Sequence, residues 1–117
     1  LNANSNKFVS LLRQFGNQDS VVVGTFGDFV VLNRGELSGY KEGMRLRIEE
    51  ITKTFVDPHT KETIRTFTLP IAWVELIDVD NKSSLAKVIS GNTSQIIFSE
   101  EIKQKIESGN IIAKPIN

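Results

Sequence analysis

The stretch MRLRIEEITKTFVDPHTKETIRTFTL, residues 44–69, decides how this chain folds. At its start Met44, Leu46 and Ile48 alternate with Arg45, Arg47 and Glu49, the period-two pattern of a strand with one face in a core and the other in water. The strand continues through Ile51 to Val56. Asp57-Pro58-His59-Thr60 then has turn chemistry, because an aspartate side chain can bond its own backbone and proline presets φ at the second turn position. Glu62 to Leu69 returns as the partner strand, so the stretch predicts one long antiparallel hairpin.

Upstream of the hairpin, KFVSLLRQF (Lys7 to Phe15) reads as a strand, although its spacing also fits a short helix. Gly16, Asn17 and Asp19 supply a turn, Ser20 to Val23 is a β-branched run ended by Gly24, and Phe26 to Leu32 forms a second apolar strand closed by Asn33, Arg34 and Gly35. Glycines at 35, 39 and 43 predict a tight turn or a single 3₁₀ turn, with positive φ at some of them. Downstream, Pro70 marks a break or a sheet edge, since it has no N–H for a ladder. Ala72 to Val79 and Ser84 to Ser90 are strands joined by a turn at Asp80-Asn81-Lys82, and Gln95 to Phe98 is a short strand. Ser99 caps a short helix with Glu100 and Glu101 in its first turn and Lys103 and Lys105 later, Gly109 stops it, and Asn110 to Lys114 is the last strand.

Six to eight short strands, one short C-terminal helix and no βαβ alternation give an all-β class, a small antiparallel barrel or sandwich. The 117 residues suit a single domain over 7–117, preceded by a polar tail or linker at 1–6; the start at Leu1 rather than Met suggests a piece of a longer protein. Seven phenylalanines with Trp73 and Tyr40 offer ample apolar material for a packed interior. Fourteen basic and fourteen acidic side chains cancel, which removes the attraction that a phosphate backbone or an anionic membrane rewards. The absence of cysteine excludes disulfides, thiolate metal sites and a cysteine nucleophile, and no apolar run approaches the roughly 20 residues of a spanning helix.

Candidate chemistry is sparse. His59 is the one histidine and sits in the hairpin turn beside Asp57; Glu49-Glu50 and Glu100-Glu101 are neighbours whose side chains diverge; Asp78, Asp80 and Asn81 lack the glycine and distant glutamate of a calcium loop. The reading is therefore not an enzyme: no catalytic residue, no metal ligands and no cofactor. Binding candidates are clearer. If Ala72, Val74 and Leu76 fill the interior, Trp73 and Ile77 face outward as a contact pair, and Tyr40 with Arg45 and Arg47 makes a modest basic stripe with a stacking ring. The alternative function built on that stripe is a single-stranded nucleic-acid-binding barrel, against which the neutral charge balance speaks.

VVVGTFGDFVVLNRGELSGYKEGMRLRI, the turn VDPHTKE and AWVELIDVDNKSSLAKVISG together resemble the C-terminal β domain that follows a LysM peptidoglycan-binding module in bacterial cell-envelope proteins. The C-terminal domain of flagellar assembly protein T has a similar pattern. The matching residues are Leu32, Asn33 and Gly35 of one turn, Gly39, Tyr40 and Gly43 of the next, and Asp57, Pro58, Thr60 and Glu62 of the hairpin. Lys61 departs from it, standing where the family tends to have glycine, and implies a changed or longer hairpin turn. The resemblance covers about Leu11 to Lys114 and implies an SH3-like β-barrel in the periplasm or cell envelope. Its implied role is non-catalytic protein–protein or peptidoglycan binding, with peptidoglycan or envelope proteins, flagellar assemblies included, as partners.

Overall fold

Among the described residues, alternating apolar positions become six antiparallel strands that close on themselves. The computed structural model describes residues 18–89 and 97–116, so the expected tail at 1–6 and strand at Lys7 to Phe15 lie outside the described residues. The strands are β1 (Ser20–Phe26), β2 (Phe29–Leu32), β3 (Arg45–Val56), β4 (Thr63–Val79), β5 (Ser84–Val88) and β6 (Ile111–Ile116). Around the barrel they run β1-β2-β5-β4-β3-β6, with β6 returning to β1. A 3₁₀ turn, Glu36–Ser38, links β2 to β3, and among the described residues one helix, α1 (Glu100–Glu107), lies between β5 and β6. The all-β class holds, and the architecture is a small closed barrel.

The interior is filled by inward-pointing aliphatic side chains: Val22, Val30, Leu32, Leu46, Ile48, Val74 and Leu76 are all fully buried. Six strands leave a bore only wide enough for side chains. Of the aromatic material expected for the interior, Phe98 packs partly buried against this core, but other phenylalanines stay outside it. Phe26, Phe55 and Phe67 are 73%, 46% and 45% exposed, whereas Tyr40 is 1% exposed. Helix α1 adds Ile102 and Ile106, four residues apart on one face, to the same core. Ser99 Oγ caps it by accepting from Ile102 N–H at 3.3 Å, and Gly109 ends it at φ 77°. Among the described residues no helix is long and apolar enough to cross a membrane.

Two expectations need correction. Pro70 does not break its strand: β4 runs straight through it, with Glu49 opposite Pro70, Ile48 opposite Ala72, and Ile71 taken up as the extra residue of a bulge. The proline is tolerated because the described pairing of β5 with β4 starts only at Val74, leaving that flank as a sheet edge. Nor is Gln95 to Phe98 a strand where it is described, because Ile97 has helical backbone and Phe98 lies in a turn. Ile97 is fully buried in the core just ahead of the cap, which turns the chain into α1 rather than along a sheet.

β6 ends its pairing with β3 at Ile111 opposite Glu50. Beyond that point, among the described residues, β3 and β4 pair only with each other, so the hairpin of residues 51–69 leaves the barrel as a two-stranded ribbon about 20 Å long. At its tip Asp57 Oδ1 accepts from the N–H groups of His59 and Thr60 at 2.7 and 3.3 Å, and Asp57 N–H donates to Glu62 O at 2.9 Å. Lys61 takes left-handed backbone in this turn, at φ 64°.

Two substitutions check this account by urea unfolding. A β-carbon at Gly35 would stand 2.0 Å from Asp80 O and 2.8 Å from Ser83 N, both backbone atoms. Gly35→Ala is therefore expected to lower stability by about 2–3 kcal/mol. Lys61→Gly relieves left-handed strain, and is expected to raise the urea midpoint by an amount worth about 0.5–1 kcal/mol.

Candidate binding surfaces

Because Leu46, Ile48, Ala72, Val74 and Leu76 point inward, the residues between them point out and build the barrel's outer wall. Arg47 of β3 stands opposite Trp73 of β4 on one side and Lys114 of β6 on the other. The next rung sets Arg45 opposite Glu75, and Glu75 opposite Lys87 of β5. Trp73 is half-buried. Ile77, the other half of the expected contact pair, is the extra residue of a bulge between Leu76 and Asp78. Four residues along a strand put it about 13 Å from Trp73, so Trp73 has Arg47, not Ile77, as its immediate neighbour on the wall.

Both arginines of the expected stripe are held by carboxylates. Arg45 Nε bonds Glu75 at 3.2 Å, and Arg47 Nε bonds Glu49, whose other oxygen accepts from Thr68 Oγ1 at 2.6 Å. Glu49 is a buried carboxylate, and these two donors offset its desolvation. Lys114, one strand beyond Arg47, and Lys87, opposite Glu75, form no ion pair among the described residues, a placement that the linear sequence did not give.

Tyr40 requires a correction. Its ring lies in the core and its hydroxyl donates to Gln18 O, so it offers no stacking surface, and the single-stranded nucleic-acid reading loses its aromatic platform. His59 is exposed in the ribbon turn, and Asp57 serves the turn backbone there. Glu49 and Glu50 diverge: the first meets Arg47 and Thr68, the second meets Lys105 of α1. Among the described residues no group of three potential metal ligands gathers.

The ribbon carries a second surface that sequence reading did not single out. Lys53 stands opposite Phe67 and Phe55 opposite Arg65, so these four share one face as a checkerboard of cations and rings. Phe55 and Phe67 meet edge to face, with centroids 6.0 Å apart at 81°. Lys53 Nζ lies 5.4 Å from the Phe55 centroid and the Arg65 guanidinium 5.5 Å from that of Phe67. Thr54 and Thr66 pair on the opposite face. The sequence signal was there, cation-x-Phe in Lys53–Phe55 and Arg65–Phe67 on both arms of one hairpin, but its exposure depends on where the barrel stops.

Burial pushes the Tyr40 hydroxyl above the ordinary tyrosine range, against smaller opposing effects of Ser20 and Arg34. The folded chain thus keeps this proton at a pH where the unfolded chain releases it. Its contribution is complete below about pH 10 and is lost as pH rises past that value. Tyr40→Phe is expected to cost about 1 kcal/mol at neutral pH, and to fall less steeply than the natural chain in unfolding series run through alkaline pH.

No protein-family model matches this sequence, and no curated protein matches it either.

Proposed function

We propose that this domain is a non-catalytic binding module of a bacterial cell-envelope protein, set alongside a LysM module, whose outer wall holds peptidoglycan alone or within an envelope assembly such as the flagellar one. The envelope setting, periplasmic or wall-associated, comes from the resemblance of the turn residues. One observation supports the surface: Trp73 points outward on a rung with Arg47 and Lys114, across three adjacent strands. A sugar ring can stack on an indole, and carboxylates of peptide stems can meet flanking cations. The closed, filled barrel keeps those three side chains in fixed register, so little ordering cost falls on binding.

Cosedimentation with purified sacculi tests the reading. The natural chain is expected to be retained, and Trp73→Ala to reduce retention about tenfold. Lys114→Glu, which removes nothing from the core, is expected to weaken it too, and added salt to lower it further. Equal, background-level retention of the natural chain and both variants overturns wall binding.

A further inference from the structure

Following the register from barrel to ribbon shows which side the checkerboard occupies. Leu46 and Ile48 face the core, and Glu50, two residues on, meets Lys105 of α1 where that helix lies over the barrel end. Leu69 stands opposite Glu50. Thr52 is an extra residue between Ile51 and Lys53, so Lys53 returns to this same side, opposite Phe67. The exposed face of Lys53, Phe55, Arg65, Phe67 and Leu69 is therefore the core-facing side of the sheet carried past the end of the core. It sets exposed apolar side chains between two cations, and no described strand covers it.

We propose that this face docks an extended segment of another protein in which carboxylate and apolar side chains alternate two residues apart. Charge supplies the first reason. Lys53 and Arg65 have no carboxylate partner among the described residues and, unlike the other unpaired cations, are held over phenyl rings on one face. Spacing supplies the second. Side chains on one face of an extended segment recur about every 7 Å, the separation of Lys53 from Phe55 and of Arg65 from Phe67. An acid over one cation thus places an apolar side chain over the neighbouring ring.

Other occupants fit less well. A second copy would set Lys53 and Arg65 against the same cations. Two half-exposed phenylalanines and Leu69 also offer about 300 Å², short of the about 800 Å² per partner of a stable dimer and suited to a weakly held extended segment. An anionic lipid surface would need an apolar tip, but the tip carries Asp57 and Glu62.

Random peptides displayed on phage and selected on the immobilised domain provide the test. Enriched sequences are expected to carry Asp or Glu two residues from Phe, Leu, Ile or Val. A synthetic peptide of that sequence should bind about tenfold more weakly to Lys53→Glu, to Arg65→Glu and to the double variant Phe55→Ser/Phe67→Ser. The same peptide with its acids changed to lysine should recover binding to Lys53→Glu/Arg65→Glu. Circular dichroism unchanged in each variant shows that the barrel stands. The proposal fails if nothing is enriched, if the enriched peptides have no acidic excess, or if charge reversal leaves binding unchanged. Dimerisation abolished by the charge reversals would assign the face to a second copy, and binding to phosphatidylglycerol vesicles lost in the same variants would assign it to lipid; either overturns the proposal. Trp73→Ala should leave peptide binding intact and the ribbon variants should leave sacculus retention intact, so the two surfaces stand or fall separately.

Discussion

Closure of the ring rests on β6. It pairs along β3 from Glu50 to Arg45, and on its other side gives Ala113 and Ile112 to Ser20 and Val21 of β1. That second seam is short, and Ile111, Ile112 and Ala113 are buried along it. A barrel has no edges only while every neighbour is paired, and this seam is where an otherwise continuous sheet meets itself. Once it is made, the size of the bore is set, aliphatic side chains fill it, and the working surface can only be outside.

The same closure explains the ribbon. β2, β5 and β6 are four, five and six residues long, while β3 has twelve and β4 seventeen. The excess has no described neighbour beyond the end of β6, so it leaves as two strands that satisfy only each other. A bare two-stranded ribbon is marginal by itself. Here its root is rigidly held, and ring stacking, cations over rings and a closed turn at Asp57 add local order.

Much of this was legible in the sequence, because local patterns depend on near neighbours. The alternation at Met44–Ile48, the turn at Asp57-Pro58, the cap at Ser99 and the stop at Gly109 each concern residues within a few positions of one another, and each is where the pattern put it. The inward set Ala72, Val74 and Leu76 likewise follows from period two alone. What the sequence could not carry was the meeting of distant strands. Nothing local says that Lys114 lies beside Arg47, that Glu49 is shared by Arg47 and Thr68, or that the core ends before Phe55. For that reason the aromatic residues were read inside out: Tyr40 is an interior group and the hairpin phenylalanines are exterior ones. Pro70 marks a sheet edge and not a break, because a bulge at Ile71 and a flank with no described partner let the strand pass through it.

The bond set of Glu49 ties the two surfaces mechanically. Its carboxylate joins Thr68, at the root of the ribbon, to Arg47, whose neighbour across the sheet is Trp73. Thr68 and Glu49 thus clasp the two arms where the ribbon leaves the barrel, and β3 and β4 carry the hairpin into the wall without a hinge.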